Sequence, residues 1–171
     1  MRTRPNKRFT EDEAAFYTVE IAEGLGYLHS LNFLYRDLKP ENILLSANGH
    51  VRLSDFNLSK TLEAKTRMRA KSTVGTAEYL APEVVRGVYG GAGDHGLSID
   101  WWCLGIMLYE LLVGKTPFEA RFKSGNRTQD EDEAFERIMS QKVWLTVNRP
   151  SRMQNCCCHS FPPVESKKCC V

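Results

Sequence analysis

The chain has 171 residues, 42% of them hydrophobic and 26% charged, and its 23 Lys and Arg against 21 Asp and Glu leave a formal charge of +2. At roughly 150 residues per domain this is one domain or a piece of one. The composition excludes disorder throughout, collagen and coiled coil, and the near-balance of charge argues against a nucleic-acid arm or an acidic tail.

The N-terminal Met1 to Arg8 is basic with no apolar stretch behind it, so no export signal is expected. Thr10-Glu-Asp-Glu13 is a capping-box pattern, and Ala14, Tyr17, Ile21, Leu25 and Leu28 follow at helical spacing. The spacing predicts a helix from about Thr10 to Ser30, weakened by Gly24 and Gly26. Ile43–Leu45 and Val51–Leu53 flank Asn48-Gly49, a strong hairpin signal. From Leu53 to Ile99 the chain reads as mostly irregular, with Pro82 and a glycine-rich stretch at 87–96. Connections of that length are functional or disordered. Ile99 to Val113 is apolar on almost every side, the pattern of a central buried helix. Its longest apolar run, Trp101 to Tyr109, is nine residues, far short of the roughly 20 that a membrane span needs.

Thr128 to Glu131 reads as another helix start, with Phe135, Ile138 and Met139 on one face. Periodicity stops after about Val143, and 148–171 reads as a disordered tail. Cys156, Cys157, Cys158, Cys169 and Cys170 crowd that tail while Cys103 lies in the apolar run, a distribution that fits a reducing compartment rather than a disulfide framework. Zinc binding and palmitoylation beside Lys167 and Lys168 are the alternative readings of the tail. Adjacent cysteines cannot easily all face one tetrahedral centre, and Lys-Cys-Cys-Val at the end is not a prenylation signal.

The chemistry concentrates in Tyr35-Arg-Asp-Leu-Lys-Pro-Glu-Asn42, the hairpin after it, and Ser54-Asp-Phe-Asn57. Phosphoryl transfer needs a carboxylate to receive a hydroxyl proton, a cation near the moving phosphate, and oxygen ligands for Mg²⁺. Asp37, Lys39, Asn42 and Asp55 supply those types. A hairpin between Asn42 and Ser54 would bring its two ends side by side and set both groups in one cleft. Taken singly, each of these residues would be an ordinary turn carboxylate or loop residue. Gly91-Ala-Gly-Asp-His-Gly96 also fits a phosphate-cradling pattern, but it follows the catalytic stretch and has no strand before it, so it reads as a loop.

From about Arg8 to Trp144 these motifs resemble a protein kinase of the Ser/Thr type and the AGC group, near the ribosomal S6 kinases. Tyr35 to Asn42 is similar to the catalytic loop, Asp55 to the first residue of the DFG motif, and Ala81-Pro-Glu83 to the motif that closes the activation segment. Val74 to Glu83 and Asp100-Trp-Trp102 complete the family's order. The resemblance implies Asp37 as catalytic base, Lys39 as phosphate-neutralising group, and Thr76 bonded to both. It implies Asn42 and Asp55 as Mg²⁺ ligands, Leu44 beneath the adenine of ATP, and Glu41 and Glu110 as receivers of substrate arginines. Ser72 would carry an activating phosphate that Arg36 receives, Asp100 would tether the catalytic-loop backbone, and Glu83 would be structural, paired with an Arg further along.

The fold class implied is mainly α, a kinase C-terminal lobe (1–147) with small β-hairpins and no N-terminal lobe. The partners implied are proteins with basic motifs and an upstream activating kinase, with no nucleic acid and no transmembrane segment. The location implied is cytoplasmic, with the nucleus as alternative. Asn57 departs from the DFG glycine, and Asn is the non-glycine residue that best tolerates positive φ there. No glycine loop, ATP-binding Lys strand or paired helix Glu stands upstream, so the chain by itself is expected to show little kinase activity. A non-catalytic docking module and a truncated inactive product are the rival readings.

Overall fold

In the computed structural model the described residues are 8–62, 77–89, 96–119 and 127–140. They form four helices and two small antiparallel sheets. In chain order these are α1 (Glu11–Ser30), β1 (Phe33–Leu34), β2 (Ile43–Leu45), β3 (Val51–Leu53), β4 (Lys60–Thr61), α2 (Pro82–Val88), α3 (Ser98–Val113) and α4 (Arg127–Ser140), with 3₁₀ turns at Pro40–Asn42 and Ala77–Tyr79. No helix among the described residues is long and apolar enough to cross a membrane.

Helix α1 starts where the sequence places it. Thr10 caps it, accepting from Glu13 N through its hydroxyl, while the Glu13 carboxylate accepts from Thr10 N at 2.9 Å. Gly24 and Gly26 do not break it. Gly24 has a packing reason, because a Cβ there would meet Leu53 Cδ1 at 3.3 Å. Helix α3 runs through the centre of the core and ends at Gly114, whose φ of 87° lets its N–H return to Glu110 O at 2.8 Å. Ile21 and Leu25 of α1 and Ile106 and Met107 of α3 are fully buried together. Each contributes about 1.5–3 kcal/mol by leaving water.

The β2–β3 hairpin has the register Ile43↔Leu53, Leu44↔Arg52, Leu45↔Val51, closed by a turn in which Gly49 has a φ of 87°. A second pair, β1 with β4, joins Phe33 to Thr61 and Leu34 to Lys60. That pair is invisible locally, because two-residue strands have no periodicity to read.

Three expectations change. The segment read as irregular between Leu53 and Ile99 contains α2, begun by Pro82 at its first turn. Proline is pre-set for that position, so it opens the helix rather than excluding one. On α4, Phe135 and Ile138 are buried with Ala134, but Met139 is exposed. At 100° per residue it falls about 90° from the centre of the face that the other three define. Asn57 is not in the left-handed region. Asp55 takes that conformation instead, with a φ of 55°, and its Oδ1 accepts from Asn57 N at 3.3 Å. Such an Asx turn is how Asp tolerates positive φ. Thus Asn57 does not need glycine's freedom. The stretch Gly91 to His95, Thr76, Ser72 and the residues from 141 onward lie outside the described residues.

Candidate active site

The loop after β1 is suspended from Asp100, a carboxylate with no exposed surface in the first turn of α3. Its Oδ2 accepts from Tyr35 N at 2.9 Å and its Oδ1 from Arg36 N at 2.8 Å. His29, in the last turn of α1, meets Oδ2 at 2.8 Å through Nε2, and Trp101 packs edge-on against the imidazole. One buried side chain therefore ties α1, α3 and the loop backbone together. It also holds Arg36 at a φ of 69°, a conformation that costs a side chain free energy unless its surroundings impose it.

The loop's own side chains converge on Asp37, which is buried. Lys39 Nζ reaches both carboxylate oxygens, at 3.0 and 2.9 Å. Asn42 Nδ2 donates to Asp37 O and to Asp37 Oδ2, both at 2.8 Å. The amide nitrogen of Asn42 is thereby directed at Asp37, and an amide oxygen is a ligand type that a hard cation takes. The hairpin closes the site as its spacing implies, with Ser54 N and Ser54 Oγ both donating to Asn42 O at 2.9 Å. Asp55 follows immediately and is exposed. An amide oxygen and a carboxylate from the hairpin's two feet fit the oxygen donors that Mg²⁺ takes.

Tyr35 forms the floor. Its hydroxyl donates to Ser54 O, and the Phe56 ring packs edge-on against it at 5.3 Å. Burial, with the Asp37 and Asp55 carboxylates adding to it, pushes the phenol up to about 12. It therefore stays a hydrogen-bond donor at neutral pH. Arg36 Nε donates to Leu58 O at 2.5 Å, joining the loop to the stretch after Asp55. An apolar cavity of about 130 Å³ lies beneath β2 between α1 and α3, with Pro40, Ile43 and Met107 in its wall. Among the described residues no charged group lines it.

The remaining expected residues fall around this cluster. Leu44 is 54% exposed on the hairpin. Glu41, on the 3₁₀ turn beside Asn42, is also exposed. Glu83 receives Ser98 Oγ at 3.4 Å, and the basic residues of 148–171 that could pair with it lie outside the described residues. Glu110 is half-buried and accepts from the Tyr79 hydroxyl. Burial raises the Glu110 carboxyl, and the Glu41, Glu78 and Glu119 carboxylates raise it further against the lowering effect of the Tyr79 bond. The Tyr79 hydroxyl is raised strongly by burial and then by Glu110.

Sequence reasoning passed over His29, Glu78, Tyr79 and Thr116. The buried Thr116 hydroxyl donates to Glu78, setting a further carboxylate beside Tyr79. The only local signal was the phenol of Tyr79 within an apolar stretch, since a buried Tyr hydroxyl requires a partner. His29 gave none, because its partner is 71 residues away.

A sequence model described as protein kinase domain matches residues 1–168. The serine/threonine-protein kinase Sgk2 of Mus musculus is 52% identical over 143 residues, covering 84% of this chain and 35% of that protein. The serine/threonine-protein kinase nrc-2 of Neurospora crassa is 43% identical over 147 residues, 71% of this chain and 23% of that one. Flippase kinase 1 of Saccharomyces cerevisiae is 42% identical over 170 residues, 86% and 17%. The chain spans at most about a third of the length of these relatives. With a buried Asp37 gathering Lys39 and Asn42, Asp55 at the other foot of the hairpin, and matches along most of its length, the chain belongs to the protein kinase family, among serine/threonine kinases of the AGC type.

Proposed function

We propose that the chain supplies the substrate-side, C-terminal lobe of a protein serine/threonine kinase over residues 1–147, followed by a tail, and that it moves the γ-phosphoryl of ATP to a Ser or Thr hydroxyl. The observation that carries this reading is the convergence of Lys39 and Asn42 on Asp37 at 2.8–3.0 Å. Protein kinases in general use ATP and Mg²⁺, and the metal neutralises phosphate charge when bound. Asp37 takes the proton of the attacking hydroxyl as its oxygen bonds to phosphorus and the bond to the leaving oxygen breaks. Lys39, held beside Asp37, faces the charge on the transferring phosphate. Thr76 is assigned to bridging Asp37 and Lys39. Asn42 and Asp55 would hold the metal from the two feet of the hairpin, and Leu44, exposed on β2, would pack under the adenine.

The test is a chimera in which this chain replaces the matched stretch of the mouse relative. It should phosphorylate Ser/Thr peptides in the presence of Mg·ATP. A folded chimera with no transfer to any hydroxyl peptide would favour the docking-module reading.

Substrates with arginines near the target hydroxyl are proposed to meet Glu41 and Glu110. Burial, with the Glu41, Glu78 and Glu119 carboxylates adding to it, raises the Glu110 carboxyl, and a guanidinium would offset that cost in a charge-assisted pair. Glu110→Gln in the chimera should raise KM for an arginine-bearing peptide about tenfold, with kcat nearly unchanged. Because the Glu110 pKa is raised, its charge is lost as pH falls through a point above the usual carboxylate range. The wild-type KM for such peptides should therefore climb on acidification earlier than a solvated Glu would dictate. Equal KM values for basic and neutral peptides would sink the substrate assignment.

Ser72 is proposed as the regulatory phosphorylation site for an upstream kinase, with Arg36 as the cation that receives the phosphate. Arg67, Arg69 and Lys71 make the segment before it basic. Treatment with an activating kinase should stimulate the wild-type chimera, and Ser72→Ala and Arg36→Ala should lose that stimulation without additivity. Full stimulation of Ser72→Ala would reject Ser72 as the switch.

A further inference from the structure

The β2–β3 hairpin is fixed to α1 at two heights. Near its open end Leu53 packs against Gly24. At its turn end Glu20 of α1 reaches across with both carboxylate oxygens. Oε2 accepts from Val51 N at 2.7 Å, Oε1 meets Nδ1 of His50, and the Phe16 ring lies tilted beside the imidazole at 6.1 Å. The same hairpin carries Asn42 at the foot of β2 and Ser54-Asp55 at the foot of β3, tied through Asn42 O. A two-stranded ribbon three residues long transmits a displacement of its turn to its feet, because no further strand among the described residues flanks it.

We propose that Glu20 is a positioning residue that clips the hairpin to α1 and so keeps Asn42 and Asp55 correctly spaced. The inference rests on the assignment of Asn42 and Asp55 to Mg²⁺. The Val51 amide, and the His50 imidazole after it, hold the Glu20 carboxyl below its usual range, so the clip is made by an ionised acceptor. Glu20 and the uncharged Phe16 face His50 from α1. On the hairpin itself, the Ser46 hydroxyl lies within hydrogen-bond distance of His50 O and of Asn48 Oδ1.

The test pairs hydrogen exchange of the full chain with Mg²⁺ titration of the chimera. Both partners touch solvent, so effects of about two- to threefold are expected. Glu20→Ala should lower protection of the Val51 amide, corrected for intrinsic exchange, about two- to threefold. In the chimera, Glu20→Ala should raise the Mg²⁺ concentration for half-maximal rate about two- to threefold while leaving the rate at saturating Mg²⁺ unchanged. Unchanged Val51 protection in Glu20→Ala would overturn the clip. Lowered protection with an unchanged Mg²⁺ requirement in an active chimera would overturn the positioning role. A folded chimera with no activity would count instead against the kinase reading, and the clip would then stand or fall on the exchange data.

Discussion

Asp37→Asn in the chimera should lower kcat by about two to four orders of magnitude while changing the melting temperature little. The lower bound is what a positioned general base contributes to proton transfer, and the upper bound adds loss of the partner that holds Lys39. The replacement is nearly isosteric and leaves a carbonyl oxygen for Asn42 Nδ2, which sits 2.8 Å from both Asp37 O and Asp37 Oδ2. Its new amide nitrogen would, however, face the Lys39 ammonium that now lies 2.9–3.0 Å from the carboxylate. Lys39 should turn away, so Asp37→Asn and Lys39→Ala should be strongly non-additive in kcat. Full additivity would mean that the two side chains act separately, and a kcat within tenfold of wild type would remove Asp37 from the role of base.

Asp100→Ala should cost about 3–5 kcal/mol of stability, because it leaves the buried N–H groups of Tyr35 and Arg36 without an acceptor at about 1–3 kcal/mol each and frees His29 as well. For a domain of this size that corresponds to a drop of roughly 10 °C in melting temperature. Asp100→Asn keeps one acceptor oxygen and sets an amide nitrogen against the other donor, so about half that loss is expected. Activity should fall further than stability in Asp100→Asn. The loop's register depends on both oxygens, and Arg36 at a φ of 69° has no other backbone anchor of that kind among the described residues. A melting temperature within 2 °C of wild type in Asp100→Ala, measured by calorimetry, would show that the loop holds itself. Neither prediction depends on the identity of the substrate.

The helices were legible where their signal is local. Thr10 and Glu13 are three residues apart and bond each other, so a short stretch of sequence contains the entire start of α1. The apolar stretch of α3 and the Asn48-Gly49 turn are likewise self-contained. Helix α2 was missed because its seven residues have one proline and no clear stripe, and it is held by packing against α4. The β1–β4 pair joins residues about 27 positions apart through two-residue strands, too short for alternation to register. Asn57 was assigned the conformation that Asp55 adopts, because residue type alone does not say which member of a turn takes positive φ. The Asx bond from Asn57 N decides that.

What the sequence by itself determined is the inventory of the candidate site. Asp37, Lys39 and Asn42 lie within six residues on one tight loop, and a two-stranded ribbon of known length returns the chain to Ser54 and Asp55. Chain connectivity alone brings those groups together. What only the tertiary structure decided is how they are held. The family resemblance already implies the Asp100 tether, but the His29–Asp100 contact, the Tyr79–Glu110 and Thr116–Glu78 bonds and the Glu20–His50 clip join residues 30 to 71 positions apart. No local pattern encodes such pairs. Asp100 meets His29 and the loop N–H groups only when burial leaves its carboxylate no water and the packing of α1 against α3 brings these partners within 3 Å.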